Sequence, residues 1–266
     1  MTNEAAKRAK MPEGTSKVLD NRSLQKDYST LIPLLKSGLR VLDVGCGTGA
    51  ISKGIADMVG ENGYVVAIDS SKHLIEKGRK DFKSTSNLEL IEADLFTYNP
   101  NEKFDLIVSA RVMQWLSNPK EALQKLKEFL KPGGQISVLD YNHNALEWNP
   151  QPPASMKRFY KAFLDWRANA GMNNEIAEYL AGYFEELGFR DIEVLNANEV
   201  YKKGDNNFVD KVEIWSTVAR LRGEQMVHSG FIDENERLLA IEEYEKWIDD
   251  EAELMIMKLK DVRAKI

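Results

Sequence analysis

Three aspartates at the ends of apolar runs are the residues best suited to chemistry. Asp43 sits within Arg40-Val41-Leu42-Asp43-Val44, Asp69 closes the run that starts at Tyr64, and Asp94 follows the run from Leu88 to Ala93. The first run breaks into Gly45-Cys46-Gly47-Thr48-Gly49, and an amphipathic segment from Ile51 to Val59 comes after it. Glycines let the backbone turn sharply and lie against a ligand that no Cβ would tolerate. A ligand at that turn meets the free amides and positive dipole end of a new helix, which favours a carboxylate or phosphate. A carboxylate at the end of the second strand can accept both hydroxyl protons of a ribose. The alternative for Asp69 is an exposed loop acid or a helix cap, and for Asp94 a solvated acid at a loop start. Gly45, Gly47 and Ala50 also satisfy the dinucleotide fingerprint G-x-G-x-x-A, so the loop alone leaves the ligand open. Asp43 narrows the choice, because a negative charge there does little for a pyrophosphate but can hold a cationic amino group. Strand-end acids in three successive units suggest carboxylates ranged along one nucleoside.

These groups need an α/β frame. The spacing predicts an amphipathic helix over Ser23 to Lys36, then strand, glycine turn and helix, then strand two closing on Asp69. Ser70 or Ser71 is placed to cap the helix that runs to about Phe82, where Leu74 can touch a ligand and His73 faces outward. Phe104 to Ala110 reads as strand four, and the stretch Arg111-Val112-Met113-Gln114-Trp115-Leu116 at its carboxyl end should border the reacting group. Asn118-Pro119 starts a helix that ends at Lys131-Pro132-Gly133-Gly134, and Gln135 to Asp140 is strand five. Asn173 to Leu187 forms a further helix, Phe189 to Tyr201 strand six and Leu254 to Ile266 strand seven, the last two pairing antiparallel. Between them, Asn207 to Arg222 and Asp233 to Asp250 are helical and read as a lid. The ten carboxylates from Asp233 to Glu253 mark a solvated face.

The chain has 266 residues, 43% of them apolar, enough for one domain with a sizeable core. Up to Asn142 there are 20 basic and 18 acidic residues, and beyond it 16 and 24, so a net charge of +2 is followed by −8. That balance argues against broad contact with nucleic acid or an anionic membrane. No stretch approaches the roughly 20 apolar residues of a spanning helix. The one cysteine, Cys46, rules out an internal disulfide, and no cluster offers structural metal ligands. A cytoplasmic protein with a frayed start from Met1 to Lys17 is expected.

The run Val41-Leu42-Asp43-Val44-Gly45-Cys46-Gly47-Thr48-Gly49, with Asp69, Asp94-Leu95 and the Leu-Lys-Pro-Gly-Gly turn before strand five, resembles class I S-adenosylmethionine (SAM) dependent methyltransferases. The likeness is close over residues 38 to 142 and weaker beyond. It implies a Rossmann-like α/β sheet of seven strands, order 3-2-1-4-5-7-6 with strand seven antiparallel, helices on both faces and a helical lid before the last strand. Residues 1–37 would be a tail and covering helix, 38–142 the SAM-binding core, and 143–266 the rest of the fold with substrate-facing helices and a lid at about 207–250. The resemblance puts Asp94 at the adenine amino group with Leu95 beside the ring. The expected cofactor set is Tyr28, Asp43, Gly45, Cys46, Gly47, Gly49, Asp69, Ser70, Leu74, Asp94, Leu95 and Arg111.

The activity implied is methyl transfer to a small, partly apolar molecule by in-line displacement, which needs alignment and exclusion of water more than a catalytic side chain. The stretch after strand four reads Ser-Ala-Arg-Val, without the Asn/Asp-Pro-Pro-aromatic motif of enzymes that methylate amides or adenine, so neither nucleic acid nor an amide is the expected acceptor. Trp148, Trp166 and Trp215 are expected to wall the acceptor site, the other reading of such aromatics being core packing. His143 and His228 are candidate general bases, each also readable as an ordinary surface or core histidine. The competing functions are a non-catalytic SAM-binding regulator, an enzyme acting on protein and an NAD(P) oxidoreductase. The last would leave Asp43 and Asp94 unexplained.

Overall fold

The computed structural model describes residues 3–10 and 19–266. Strands β1 (Arg40–Val44), β2 (Tyr64–Asp69), β3 (Leu88–Glu92) and β4 (Phe104–Ala110) are parallel, and β4 pairs in parallel with β5 (Leu130–Asn149). The last strand, β8 (Leu254–Lys265), runs antiparallel between β5 and β6 (Arg190–Asn196). The order is therefore 3-2-1-4-5-8-6, the expected topology with one more strand in the count.

The extra strand arises because the expected strand six is split. Its second part, β7 (Glu199–Lys202), also pairs with β8, and between the parts the Asn198 side chain accepts the Leu259 amide at 3.0 Å in place of a ladder bond. Strand five is longer than expected, since the chain passes from helix directly into the sheet. The glycine turn survives as a register irregularity opposite Phe104 and Leu106.

Alternation along the parallel strands supplies two apolar layers, as expected of strands covered on both faces. Val41 and Val65 join one core cluster, while Leu42, Val44, Val66 and Ile68 join the other. The first cluster takes α3 (Ala50–Val59), and the second takes α5 (Pro119–Phe129) and α7 (Ile176–Glu186). Helix α4 (Lys72–Asp81) packs Ile75 on Ala67 and Leu90.

The helix expected over Ser23 to Lys36 is instead a single turn, α2 (Leu24–Asp27), followed by a 3₁₀ segment over Ser29–Leu34. The Asp27 carboxylate accepts the Ser23 amide at 2.8 Å, Tyr28 leaves helical geometry at φ −151°, and Pro33 has no amide to continue an α-helix.

Part of the expected frayed start is also ordered. Helix α1 (Asn3–Ala9) sets the Arg8 guanidinium 5.0 Å from the Trp166 ring centre and donates from it to Asn169 Oδ1 at 3.0 Å. The remainder of that start, residues 1–2 and 11–17, lies outside the described residues.

The segment expected as a lid holds α8 (Phe208–Val212), α9 (Ile214–Leu221), α10 (Gly223–His228) and α11 (Glu234–Asp250). Ala240, Tyr244, Trp247 and Ile248 on α11 belong to the same core cluster as residues of α6 (Ala154–Asn169), while Glu242, Glu243, Asp249 and Asp250 face solvent. No helix among the described residues is long and apolar enough to cross a membrane.

Candidate cofactor and active site

A cleft with about 1120 Å³ of empty space, its open mouth included, crosses the carboxyl ends of β3, β2, β1 and β4. This is where an open α/β sheet collects ligands. Its floor is the glycine loop. The Gly45 and Cys46 amides both donate to the Ile68 carbonyl, at 2.8 and 3.1 Å, tying the loop to the end of β2. At φ +74° a Cβ on Gly45 would lie 2.3 Å from Val112 Cγ2, so only glycine leaves room for this approach to the β4 side of the cleft. Gly49 takes the left-handed cap position at φ +80° and starts α3.

Asp69 does two jobs at once. Its Oδ2 accepts the Gly47 amide at 2.9 Å and its Oδ1 the Ser71 amide at 2.8 Å, so it fixes the loop and the turn into α4 while lining the cleft; Ser71 is the N-cap residue of α4, but the expected serine side-chain cap is not made. Each carboxylate oxygen keeps a second acceptor site, which is what a ribose diol requires. Asp94 is exposed at the end of the cleft next to β3, where its Oδ1 accepts the Phe96 amide at 2.8 Å, and Leu95 is buried beside it.

Asp43 is 4% exposed and accepts from Ser52 Oγ at 2.6 Å. Burial pushes its carboxyl up to about 6; the Ser52 bond opposes this and the Asp69 charge adds to it. A cationic ammonium beside it favours the ionised form, so binding such a ligand below about pH 6 must displace a proton. The affinity for S-adenosylhomocysteine (SAH) should therefore fall as pH drops through 6, by at most about tenfold per pH unit, and Asp43→Asn should flatten the dependence. Calorimetry at three pH values on both proteins checks this. An equal slope in the two would remove Asp43 from the ammonium site.

Of the residues expected to hold the cofactor, Asp43, Gly45, Cys46, Gly47 and Asp69 line the cleft, as do Ser70, Leu74, Asp94, Leu95 and Arg111. Gly49 stands behind the loop, and Tyr28 lies in the core. The Tyr28 ring is 2% exposed and its hydroxyl shares a hydrogen bond of 2.8 Å with Ser137 Oγ, which in turn donates to Asp261 at 2.6 Å. That buried network, closed by Arg263, occupies the hydroxyl a cofactor would have used.

The expected acceptor wall is also elsewhere. Trp166 is fully buried, Trp215 nearly so, and Trp148 donates from its indole to the Tyr244 hydroxyl at 3.1 Å. Together with Tyr160 and Phe163, these rings pack as core. His143 is 6% exposed, with its Nε2 2.7 Å from Gln114 Oε1 and 3.0 Å from Arg167 Nη1; burial and the Arg167 charge hold it well below the usual imidazole range. His228 ends α10 on the surface, with its Nδ1 2.7 Å from the Glu224 carbonyl. Neither histidine lines the cleft.

The walls that sequence reasoning did not assign are Ala9, Leu19 and Arg22 from the chain's start, and Phe96 beyond Leu95. Val112, Trp115 and Leu116 line it as well, from the stretch expected to border the reacting group. Trp115 is the tryptophan that lines the cleft, and its position just after a strand end was the available signal. Its ring lies 4.7 Å from the Arg167 guanidinium and 4.2 Å from that of Arg222, so this stack ties the cleft wall to α6 and to the inserted helices.

A glycine floor that a Cβ would fill, an acid with spare acceptor sites for a diol and a buried acid for an ammonium fit SAM, and with this sheet order they define a class I SAM-dependent methyltransferase site. Residues 35–220 match the family model described as a methyltransferase domain, and the chain belongs to that family. It is 38% identical over 96 residues to malonyl-[acyl-carrier protein] O-methyltransferase 2 of Ilyobacter polytropus, covering 36% of this chain and 37% of that one. It is 32% identical over 142 residues to the ubiquinone/menaquinone biosynthesis C-methyltransferase UbiE of Coxiella burnetii, covering 52% and 54%. The chain thus matches about half or less of the length of these curated relatives. Among solved structures it is similar in fold to phosphoethanolamine N-methyltransferase 2 of Haemonchus contortus in complex with phosphomonomethylethanolamine and SAH. The TM-score is 0.56 at 17% identity, covering 96% of this chain and 53% of that one.

Proposed function

We propose that this chain transfers the methyl group of SAM to a small, partly apolar molecule. The observation that carries the reading is the apolar wall of Val112, Trp115 and Leu116 at the β4 end of the same cleft whose β2 and β3 ends present Asp69 and Asp94. Bound SAM would supply a methyl group already activated on a sulfonium. The protein's part is to hold and to exclude: Asp69 and Asp94 orient the nucleoside, Asp43 takes the ammonium, and the glycine loop closes the floor. Val112 and Leu116 keep water from the reacting end, where alignment lowers the barrier. Among the described residues no histidine, lysine or tyrosine lines the cleft, which favours an acceptor that brings its own electron pair. The two curated relatives, by name an acyl-carrier O-methyltransferase and a quinone-pathway C-methyltransferase, agree with a small acceptor group.

The test is to incubate the protein with SAM labelled on the methyl group and a lysate split by size. Label is expected in the small-molecule fraction, where mass spectrometry identifies the acceptor. Label only in the protein fraction would overturn the reading of a free small molecule in favour of a protein or a carrier-protein-linked acceptor. Tight SAM binding without transfer to either fraction would favour a regulator.

A further inference from the structure

Arg167 lies outside the cleft, near the end of α6, with its side chain fully buried. Among the described residues its side-chain hydrogen bonds reach no carboxylate. Nη2 donates to the Gln114 carbonyl at 2.8 Å and Nη1 to Gln114 Oε1 at 2.9 Å, with His143 Nε2 3.0 Å from Nη1. Nε is buried without an acceptor. Burial pushes the guanidinium down to about 10, against the pull of the Asp140 charge. Taking a cation out of water on these terms is costly, and an apolar side chain of similar volume would fill the same core at no such cost. Stability alone does not account for an arginine here.

What Arg167 grips is the wall of the cleft. Gln114 belongs to the 3₁₀ turn Met113–Trp115, which follows β4 and carries Trp115 into the cleft. Such a turn is weak by itself, held locally by the Trp115 amide on the Val112 carbonyl at 2.9 Å and the Leu116 amide on the Met113 carbonyl at 3.1 Å. Gln114 fixes it from outside with every polar group it has. Its amide donates to Asp140 Oδ2 at 3.1 Å and its Nε2 to the Arg111 carbonyl at 3.2 Å, while both its oxygens accept from Arg167. The same guanidinium lies 4.7 Å from the Trp115 ring centre and 5.3 Å from that of Phe163. A planar guanidinium can lie on a ring and donate in its own plane at once, which an ammonium cannot.

Position gives this grip its consequence. Trp115 stands with Val112 and Leu116 at the β4 end of the cleft, away from Asp69 and Asp94. In-line displacement depends on alignment, and a shift of about 1 Å caused far from the chemistry can cost roughly a hundredfold in rate.

We propose that Arg167 is a positioning residue for methyl transfer: by clamping Gln114 and lying on Trp115, it holds the indole at the acceptor end of the cleft. This rests on the assignment of that end to the acceptor and adds the group that sets its wall.

The test is the rate of label transfer from SAM to a lysate, summed over its small-molecule and protein fractions, together with SAH affinity by calorimetry. Arg167→Lys keeps the charge but loses the paired donors and the plane. It should slow transfer at least about tenfold while leaving SAH affinity within about twofold. Trp115→Ala should also be slow, and adding Arg167→Lys to it should change the rate by less than about twofold, because the group through which Arg167 acts is gone. Arg167→Met supports the same comparison if the lysine variant does not fold. A transfer rate in Arg167→Lys within about twofold of the parent's would overturn the proposal. So would an equal fall in SAH affinity, or the full loss recurring in the Trp115→Ala background, either of which marks a general structural role. The fraction that takes the label decides the small-acceptor reading separately, since these comparisons use only the ratio of variant to parent. A parent that binds SAH and labels neither fraction would remove the reaction and this proposal with it.

Discussion

Asp69→Ala weakens SAH binding roughly ten- to a hundredfold while the protein remains folded. The side chain is half-buried at the end of β2, where each oxygen already accepts one backbone amide, Gly47 or Ser71, and has one site left for a ribose hydroxyl. Hydrogen bonds to a charged acceptor are worth about 1.5 to 3 kcal/mol, which converts to that range of affinity. Loosening of the loop through Gly47 acts in the same direction. The parallel β1–β2 register and the apolar cores beneath do not depend on this carboxylate, so a circular dichroism spectrum and melting profile should stay close to those of the parent. Calorimetry showing unchanged SAH affinity would remove Asp69 from the ribose position.

Gly78→Ala is the second large effect, and its sign runs against helix propensity. Alanine in the interior of α4 should gain about 1 kcal/mol over glycine on propensity alone. Here, however, the added Cβ would lie 2.3 Å from the Thr48 carbonyl oxygen and 3.0 Å from Leu90 Cδ1. The first neighbour is backbone of the glycine loop and cannot turn aside as a side-chain tip does. Overpacking of this kind costs about 1 to 3 kcal/mol, and against a backbone atom the upper part of that range applies, so a net loss of up to about 2 kcal/mol is expected, with the melting temperature lowered by up to about 8 °C. Because relief comes only by moving Thr48, SAH affinity should fall as well. A melting temperature equal to or above the parent's would show that α4 does not press on the loop.

The parts of this site that could be read from sequence are those encoded locally. Val41 to Val59 specifies strand, turn and helix within one short window, and Asp69 and Asp94 follow apolar runs whose ends are marked by turn residues. Strand order came from the resemblance to class I methyltransferases, with which the antiparallel fit of the last strand agrees. What escaped depends on contacts between distant segments. An aromatic at Tyr28 has the same local pattern whether its hydroxyl meets a ligand or, as here, Ser137. Trp148, Trp166 and Trp215 are equally good wall or core residues until α11 and α6 are seen to share one apolar cluster. Arg22 comes from a polar stretch with no periodicity, and only the folded chain brings it to the same cleft as Arg111. The Ser23 to Lys36 segment misled for a different reason: its apolar spacing is helical and Ser23 and Asp27 cap a helix start, but Tyr28 leaves helical geometry and Pro33 has no amide to continue an α-helix.

Calorimetric titration of the parent protein with SAH and, in parallel, with NAD at pH 7.5 bears most directly on the account. Saturable one-to-one binding of SAH is predicted, with no detectable heat from NAD, because Asp43 beneath the glycine loop repels a pyrophosphate and attracts an ammonium. Binding of NAD, or failure to bind SAH, would contradict the assignment of this cleft.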